Sequence, residues 1–243
     1  MRLKLFFMES AVGVFFFLWA GPVGAAESEA AAQRTTYFQR FFVDGGPLVW
    51  LILLPLSFVT VGLIVQFFVS IRRARIIPSA TLADVKQMAK QGYQTELLER
   101  LKGEESFLSR TLYVGLTEAG NGRAAMANAM GEMLERQSTT LLRRIEWLNI
   151  IGNVAPMIGL FGTVWGMVEA FNHIVRAHGQ PEPDQLAGAI SVALLTTLWG
   201  LFAAIPALSA YGALRNRIDE LTAEVAQETE SLLRNFTFAG DFS

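Results

Sequence analysis

Asn149, Asn153, Thr163, Ser191, Thr196 and Thr197 are polar side chains set in runs otherwise apolar enough for a bilayer. Amides and hydroxyls of this kind can hydrogen-bond across helices in lipid. As a group they can also line a hydrated path for a small ion. A single threonine is weak evidence, because its hydroxyl can bond back to a carbonyl of its own helix. No Ser/His pair, acidic pair or metal cluster lies inside the same runs, so the chain is not expected to be an enzyme. His173 and His178 are five apart, off the same-face spacing of a metal pair, and read as solvated loop residues. The chain has no cysteine, which excludes a disulfide framework and a thiolate metal site. A net charge of -2 gives no footprint for nucleic acid. No cofactor is expected.

The run 152–171, GNVAPMIGLFGTVWGMVEAF, holds poor helix formers where a membrane helix is needed. On a helix, Gly152, Ala155, Gly159, Gly162, Gly166 and Ala170 recur at steps of three or four and form one stripe. Ala189, Ala193, Thr196 or Thr197, Gly200, Ala204 and Ala207 form a second. Little hydrophobic force acts between helices in lipid, so association relies on close backbone approach, which small residues allow. Gly159, Gly162, Gly166 and Gly200 are therefore expected at helix contacts, between the two runs or between copies of the chain. Pro156 and Pro206 each remove a helix hydrogen bond and invite a bend, so they are candidate hinges.

These residues need long apolar helices to hold them. Hydrophobic residues make up 52% of the 243, and 17% are charged against the usual quarter or so. Residues 1–25 have a basic start, a phenylalanine-rich run and small residues suited to cleavage. They read as a secretory signal peptide, the rival being a retained anchor helix. A short polar segment, 26–45, follows. The first expected span is 46–71, uncharged and longer than the roughly 20 residues a bilayer requires. Arg72, Arg73 and Arg75 stop it. Residues 72–146 mix charged and apolar residues at helical spacing, with Met126, Met130, Met133, Leu134, Gln137 and Leu141 on one face. Gly103, Gly115, Gly120 and Gly122 mark candidate breaks there. The second span is expected at 147–171, a loop at 172–185 and the third span at 186–211. An amphipathic helix and tail, 212–243, end the chain. Arg143, Arg144, Arg215 and Arg217 join the first arginine cluster on one side, which by the positive-inside rule is cytoplasmic. The reading is an all-α integral membrane protein. Three transmembrane helices extend into a cytoplasmic helical domain, with the N-terminus out and 26–45 and 172–185 periplasmic.

The block APMIGLFGTVWGMVEAF, then AISVALLTTLWGLFAAIPALSAY, resembles the ExbB/TolQ/MotA family of ion-driven motor subunits over residues 145–215. The three-span layout is more similar to ExbB and TolQ than to MotA. The resemblance implies a multi-pass protein of the bacterial inner membrane, embedded in lipid. It implies a homo-oligomeric ring, typically a pentamer, around a single-span partner of the ExbD/TolR type. A cation crosses at the interface of ring and partner, H+ by resemblance and Na+ as the other possibility. The flow drives rotation that energises transport or envelope processes. Thr163 and Thr197, with Thr196 beside them, match threonines on the ion path. Pro156 and Pro206 match prolines associated with motor movement. The sequence departs from the pattern at Val192, where ExbB and TolQ carry a glutamate. The essential carboxylate must then come from the partner, or the chain is a non-conducting scaffold of the same architecture. Glu169, near the outer end of the second span, reads as a headgroup-level residue, the rival being a role at the entrance of the path.

Overall fold

The computed structural model describes residues 49–91 and 94–235, and every element among them is helical. The expected signal peptide and the polar segment 26–45 lie outside the described residues. A wide π turn, Val49–Leu53, leads into α1, Leu54–Ser70. Pro55 lies just inside α1, and a proline ring crowds the carbonyl four residues before it. Four short helices follow: α2 (Arg73–Ile76), α3 (Ser79–Gln91), α4 (Gln94–Lys102) and α5 (Phe107–Thr117). Two long helices complete the described residues, α6 (Arg123–Arg176) and α7 (Pro183–Asn235). Among the described residues three stretches are long and apolar enough to cross a membrane: Val49–Ser70, and segments of α6 and of α7.

The chain divides into two compact units. The first comprises residues 1–54 and 158–202. In its described part α6 and α7 form a helical hairpin joined by residues 177–182. The loop is shorter than the expected 172–185, because α6 continues to Arg176 and α7 starts at Pro183. The end of α6 has a physical cause. His178 adopts φ 50°, its N–H donates to the Val175 carbonyl at 3.1 Å, and Gly179 N–H donates to Ile174 at 3.0 Å. This pairing satisfies carbonyls that a helix end leaves open, with histidine where glycine is usual. Pro183 suits the first position of α7, where its missing N–H costs nothing.

The second unit comprises residues 55–157 and 203–243. Its core gathers Ile76, Ile77, Val85, Leu97, Leu101, Leu108 and Leu112 from the short helices. Met126, Met130, Ile145 and Leu148 enter from α6, and Leu214, Ile218, Leu221, Val225 and Leu232 from α7. The α7 positions step by three or four, the spacing that keeps one helix face inward. The methionine face of α6 lies here. Met126 and Met130 are buried, and Gln137 Nε2 donates to the Phe107 carbonyl at 3.2 Å and to Thr111 Oγ1 at 3.1 Å.

Of the glycines expected as breaks, Gly103 lies between α4 and α5, and Gly122 (φ 91°) stands just before α6. Gly115 breaks nothing. It sits inside α5, and the Met130 side chain packs where its Cβ would be. Ser106 caps α5, accepting from Ser109 N at 3.1 Å, a bond that satisfies one orphan donor of the first turn. Thr81 Oγ1 donates to Glu104 Oε1 at 2.6 Å, and Ser109 Oγ donates to Glu104 Oε2 at 3.3 Å, which ties α3 to the first turn of α5. Arg73 and Lys86 pair with Glu224 and Glu228 on α7. The Glu224 hydrogen bond and charge push the Arg73 guanidinium above its ordinary range.

A candidate ion-path surface

In the first unit the small residues of α6 meet α7. A Cβ on Gly159 would lie 3.0 Å from both Thr196 O and Thr197 Cα, which are backbone atoms. A Cβ on Gly162 would fall 2.5 Å from Thr196 Cβ, and one on Gly166 would fall 2.6 Å from Ala193 Cβ. Two helices can approach this closely only where one of them lacks side chains. Gly200, the fourth glycine singled out in the sequence, is buried. Within the second unit Ala155 clusters with Ala203, Ala204 and Leu56, and a Cβ on Gly152 would strike Leu208.

Thr196 and Thr197 sit on this contact, whereas the hydroxyl of Thr163 bonds only within α6. Thr196 is 2% exposed; its Oγ1 donates to Ala193 O at 2.7 Å and lies 3.4 Å from Gly159 O. Thr197 Oγ1 donates to the same Gly159 carbonyl at 3.1 Å. Thr163 Oγ1 donates to Leu160 O at 2.7 Å. A carbonyl can only accept, so each hydroxyl proton points into the backbone. Oxygen lone pairs are what remain for any outside group. Thr163 and Thr197 are half-buried. Ser191 is exposed and Val192 half-buried on α7.

The first unit's described carboxylates are Glu169, Glu182 and Asp184, all toward the loop end of the hairpin. Glu169 lies 3.8 Å from Arg176 Nη1, 3.9 Å from His173 Nε2 and 3.4 Å from Asn172 Nδ2. Among the described residues no group of His, Asp or Glu is arranged to hold a metal ion.

Pro156 and Pro206, the expected hinges, both lie in the second unit, inside unbroken helices. Asn149 and Asn153 also lie in this unit and form a polar ladder. Asn153 Nδ2 donates to Asn149 Oδ1 at 3.0 Å, Asn149 Nδ2 to Glu146 Oε1 at 2.7 Å, and Tyr211 Oη to Glu146 Oε2 at 3.3 Å. Sequence reasoning named the two asparagines and missed Glu146 and Tyr211. Glu146, three residues before Asn149, could have been found from helical spacing; Tyr211 comes from another helix and carried no such signal.

Residues 99–227 match the MotA/TolQ/ExbB proton channel family. The Biopolymer transport protein ExbB of Neisseria meningitidis serogroup A is 30% identical over 201 residues, covering 76% of this chain and 90% of that protein. The Tol-Pal system protein TolQ of Haemophilus influenzae is 41% identical over 93 residues, covering 38% of this chain and only 40% of that protein. The solved structure of C. jejuni MotAB is similar in fold, with a TM-score of 0.55 at 16% identity. That likeness covers 97% of this chain and 89% of that one.

Proposed function

The chain belongs to the MotA/TolQ/ExbB proton channel family, and from that premise we propose that it is a ring-forming subunit of an ion-driven motor in the bacterial inner membrane. The ring, a pentamer in this reading, surrounds a single-span partner of the ExbD/TolR type and energises transport or envelope processes. The observation that carries the reading is the family match over residues 99–227, which includes the close approach of α6 and α7 at Gly159, Gly162 and Gly166. The chain is multi-pass, with its N-terminus out and the arginine-bearing ends of its spans in the cytoplasm. Residues 72–146 and 212–243 are cytoplasmic and 172–185 periplasmic.

The acceptor-only threonine surface gives the mechanism its sign. Thr163 and Thr197 offer oxygen lone pairs and no free hydroxyl proton. A protonated acid on the partner can donate to them; a carboxylate finds no donor. Cation delivery and loss at the partner thus switch its affinity for the ring, and a step needs such a difference between states. The cation is H+; the same lone pairs would also coordinate Na+. Pro156 and Pro206 are the hinges of the motion.

Val192 favours a second reading, a ring of the same architecture that conducts nothing. The test is proton flux into liposomes holding the purified ring, with and without the single-span protein that co-purifies with it. Flux that needs the partner and its membrane acid supports the motor. A partner-bound ring that passes neither H+ nor Na+ supports the scaffold.

A further inference from the structure

Where α1 ends and the apolar part of α6 begins, the second unit holds a cleft of about 530 Å³, within the usual range of small-ligand sites. Arg143 and Arg144 line it with Trp147, and Gln66, Ser70 and Thr140 add hydrogen-bonding groups. Among the described residues neither arginine forms an ion pair, unlike Arg73, Arg100 and Arg110. The position fixes the surroundings. Ser70 ends the first candidate span, and Arg72, Arg73 and Arg75 follow it. Trp147 opens the apolar run of α6 and is 61% exposed, as tryptophans at the membrane–water boundary are. One and two turns deeper, Val59, Ile150 and Val154 are exposed, and open space lies over Gly62.

We infer that this cleft binds the phosphate of an anionic phospholipid in the leaflet that meets the arginine-bearing ends of the spans. Arg143 and Arg144 hold the phosphate. Ser70 and Gln66 bond the headgroup hydroxyls, Trp147 lies at the glycerol level, and an acyl chain runs over Gly62 and Val59. Arg143 also borders a neighbouring cleft with Glu132, Glu135 and Arg136, but among the described residues neither it nor Arg144 is ion-paired; two unpaired guanidiniums favour a fixed anion, and arginine is suited to phosphate. Basic pockets between helices at this depth bind lipid headgroups. A soluble anion would use the arginines and leave Trp147 and the apolar groove without a role. The site goes beyond the motor reading and does not depend on conduction.

The test uses the full chain in mild detergent, delipidated and then offered palmitoyl-oleoyl-phosphatidylglycerol. Phosphatidylcholine and inorganic phosphate serve as comparison probes, and bound ligand is counted by native mass spectrometry. The expected result is retention of phosphatidylglycerol over phosphatidylcholine. An R143Q/R144Q variant should lower its apparent affinity about 30-fold, the loss expected for two basic groups at a membrane surface. R143K/R144K should keep most of the binding, and R100Q/R110Q should match the parent chain. Equal retention of the two lipids by the parent chain overturns the inference, and this arm needs no variant to fold. Phosphatidylglycerol binding unchanged in R143Q/R144Q also overturns it. So does competition by inorganic phosphate at the lipid's own concentration, which would mark a free-anion site. A change in copy number with lipid retention unchanged would assign the pair to a subunit contact and overturn it as well.

Discussion

One methyl group at Gly162 tests the α6/α7 contact most directly. The added carbon of Gly162→Ala would sit 2.5 Å from Thr196 Cβ, where carbons rest at about 3.5–4.0 Å. Both atoms are Cβ atoms, fixed by their backbones, so no rotamer relieves the clash. The helices must part locally by roughly 1 Å to restore an ordinary contact. The Thr197 bond to Gly159 O, now 3.1 Å, and the weaker Thr196 contact at 3.4 Å then leave hydrogen-bonding range. Hydrogen bonds between membrane helices average about 0.6 kcal/mol, and overpacking costs about 1–3 kcal/mol. Alanine returns up to about 1 kcal/mol as the better helix former. The net is a loss of about 1–3 kcal/mol, or about 5- to 150-fold in the folding equilibrium. The assay is denaturant unfolding in detergent beside Gly188→Ala and Gly131→Ala, since neither Gly188 nor Gly131 has an atom within 4 Å of its built Cβ. Those two variants should be neutral or slightly stabilised. If Gly162→Ala behaves as they do, the close approach of the helices at Thr196 is wrong.

Thr197→Val keeps the side-chain volume but removes the bond to Gly159 O. It should cost under about 1 kcal/mol and, in the proposed motor, leave assembly intact and reduce output; unchanged partner-driven output would remove Thr197 from the path. His178→Gly relieves a left-handed backbone conformation and should stabilise the chain by about 1 kcal/mol, read as a higher midpoint of thermal unfolding. Gly115→Ala drives a methyl into Met130 and should destabilise by about 1–3 kcal/mol. Combined with Met130→Ala it should cost less than the sum of the two single changes, a coupling that a double-mutant cycle measures.

The three candidate spans were legible because charge-free windows of bilayer length have few other uses. The glycine run was legible as a pattern of small residues, but its partner atoms were not. That Thr196 and Thr197 converge on the carbonyl of Gly159 depends on the register of α7 against α6, which no local periodicity encodes. Gly115 shows the opposite failure. A glycine in an amphipathic stretch looks like a break, yet here it makes room for a methionine fifteen residues later on another helix. The ion pairs Arg73–Glu224 and Lys86–Glu228 join distant parts of the chain, so neither partner announces the other. Glu146 was hidden because a carboxylate among arginines reads as a solvated charge. Its bond to Asn149 follows helical spacing, but the tie to Tyr211 on another helix does not.

In the proposed motor, with valine at position 192, the membrane acid belongs to the partner, and its cost can be set against the available energy. Placing an ionised aspartate at the centre of a membrane helix costs about 2.5–3.5 kcal/mol on insertion scales. One elementary charge crossing 100 mV supplies about 2.3 kcal/mol. These are the same size, so the drop carried by one cation can drive a single partner acid between a state that fits an apolar ring and one that does not. A second carboxylate on the ring would place two like charges close together and push one of them toward protonation. In the motor proposed above, Val192 leaves the ring without an acid of its own, and the whole switch would reside in the partner. Val192→Glu should therefore make proton flux depend on two interacting groups rather than one, broadening its pH profile in reconstituted liposomes. A profile that keeps its shape would mean that position 192 does not face the partner's acid.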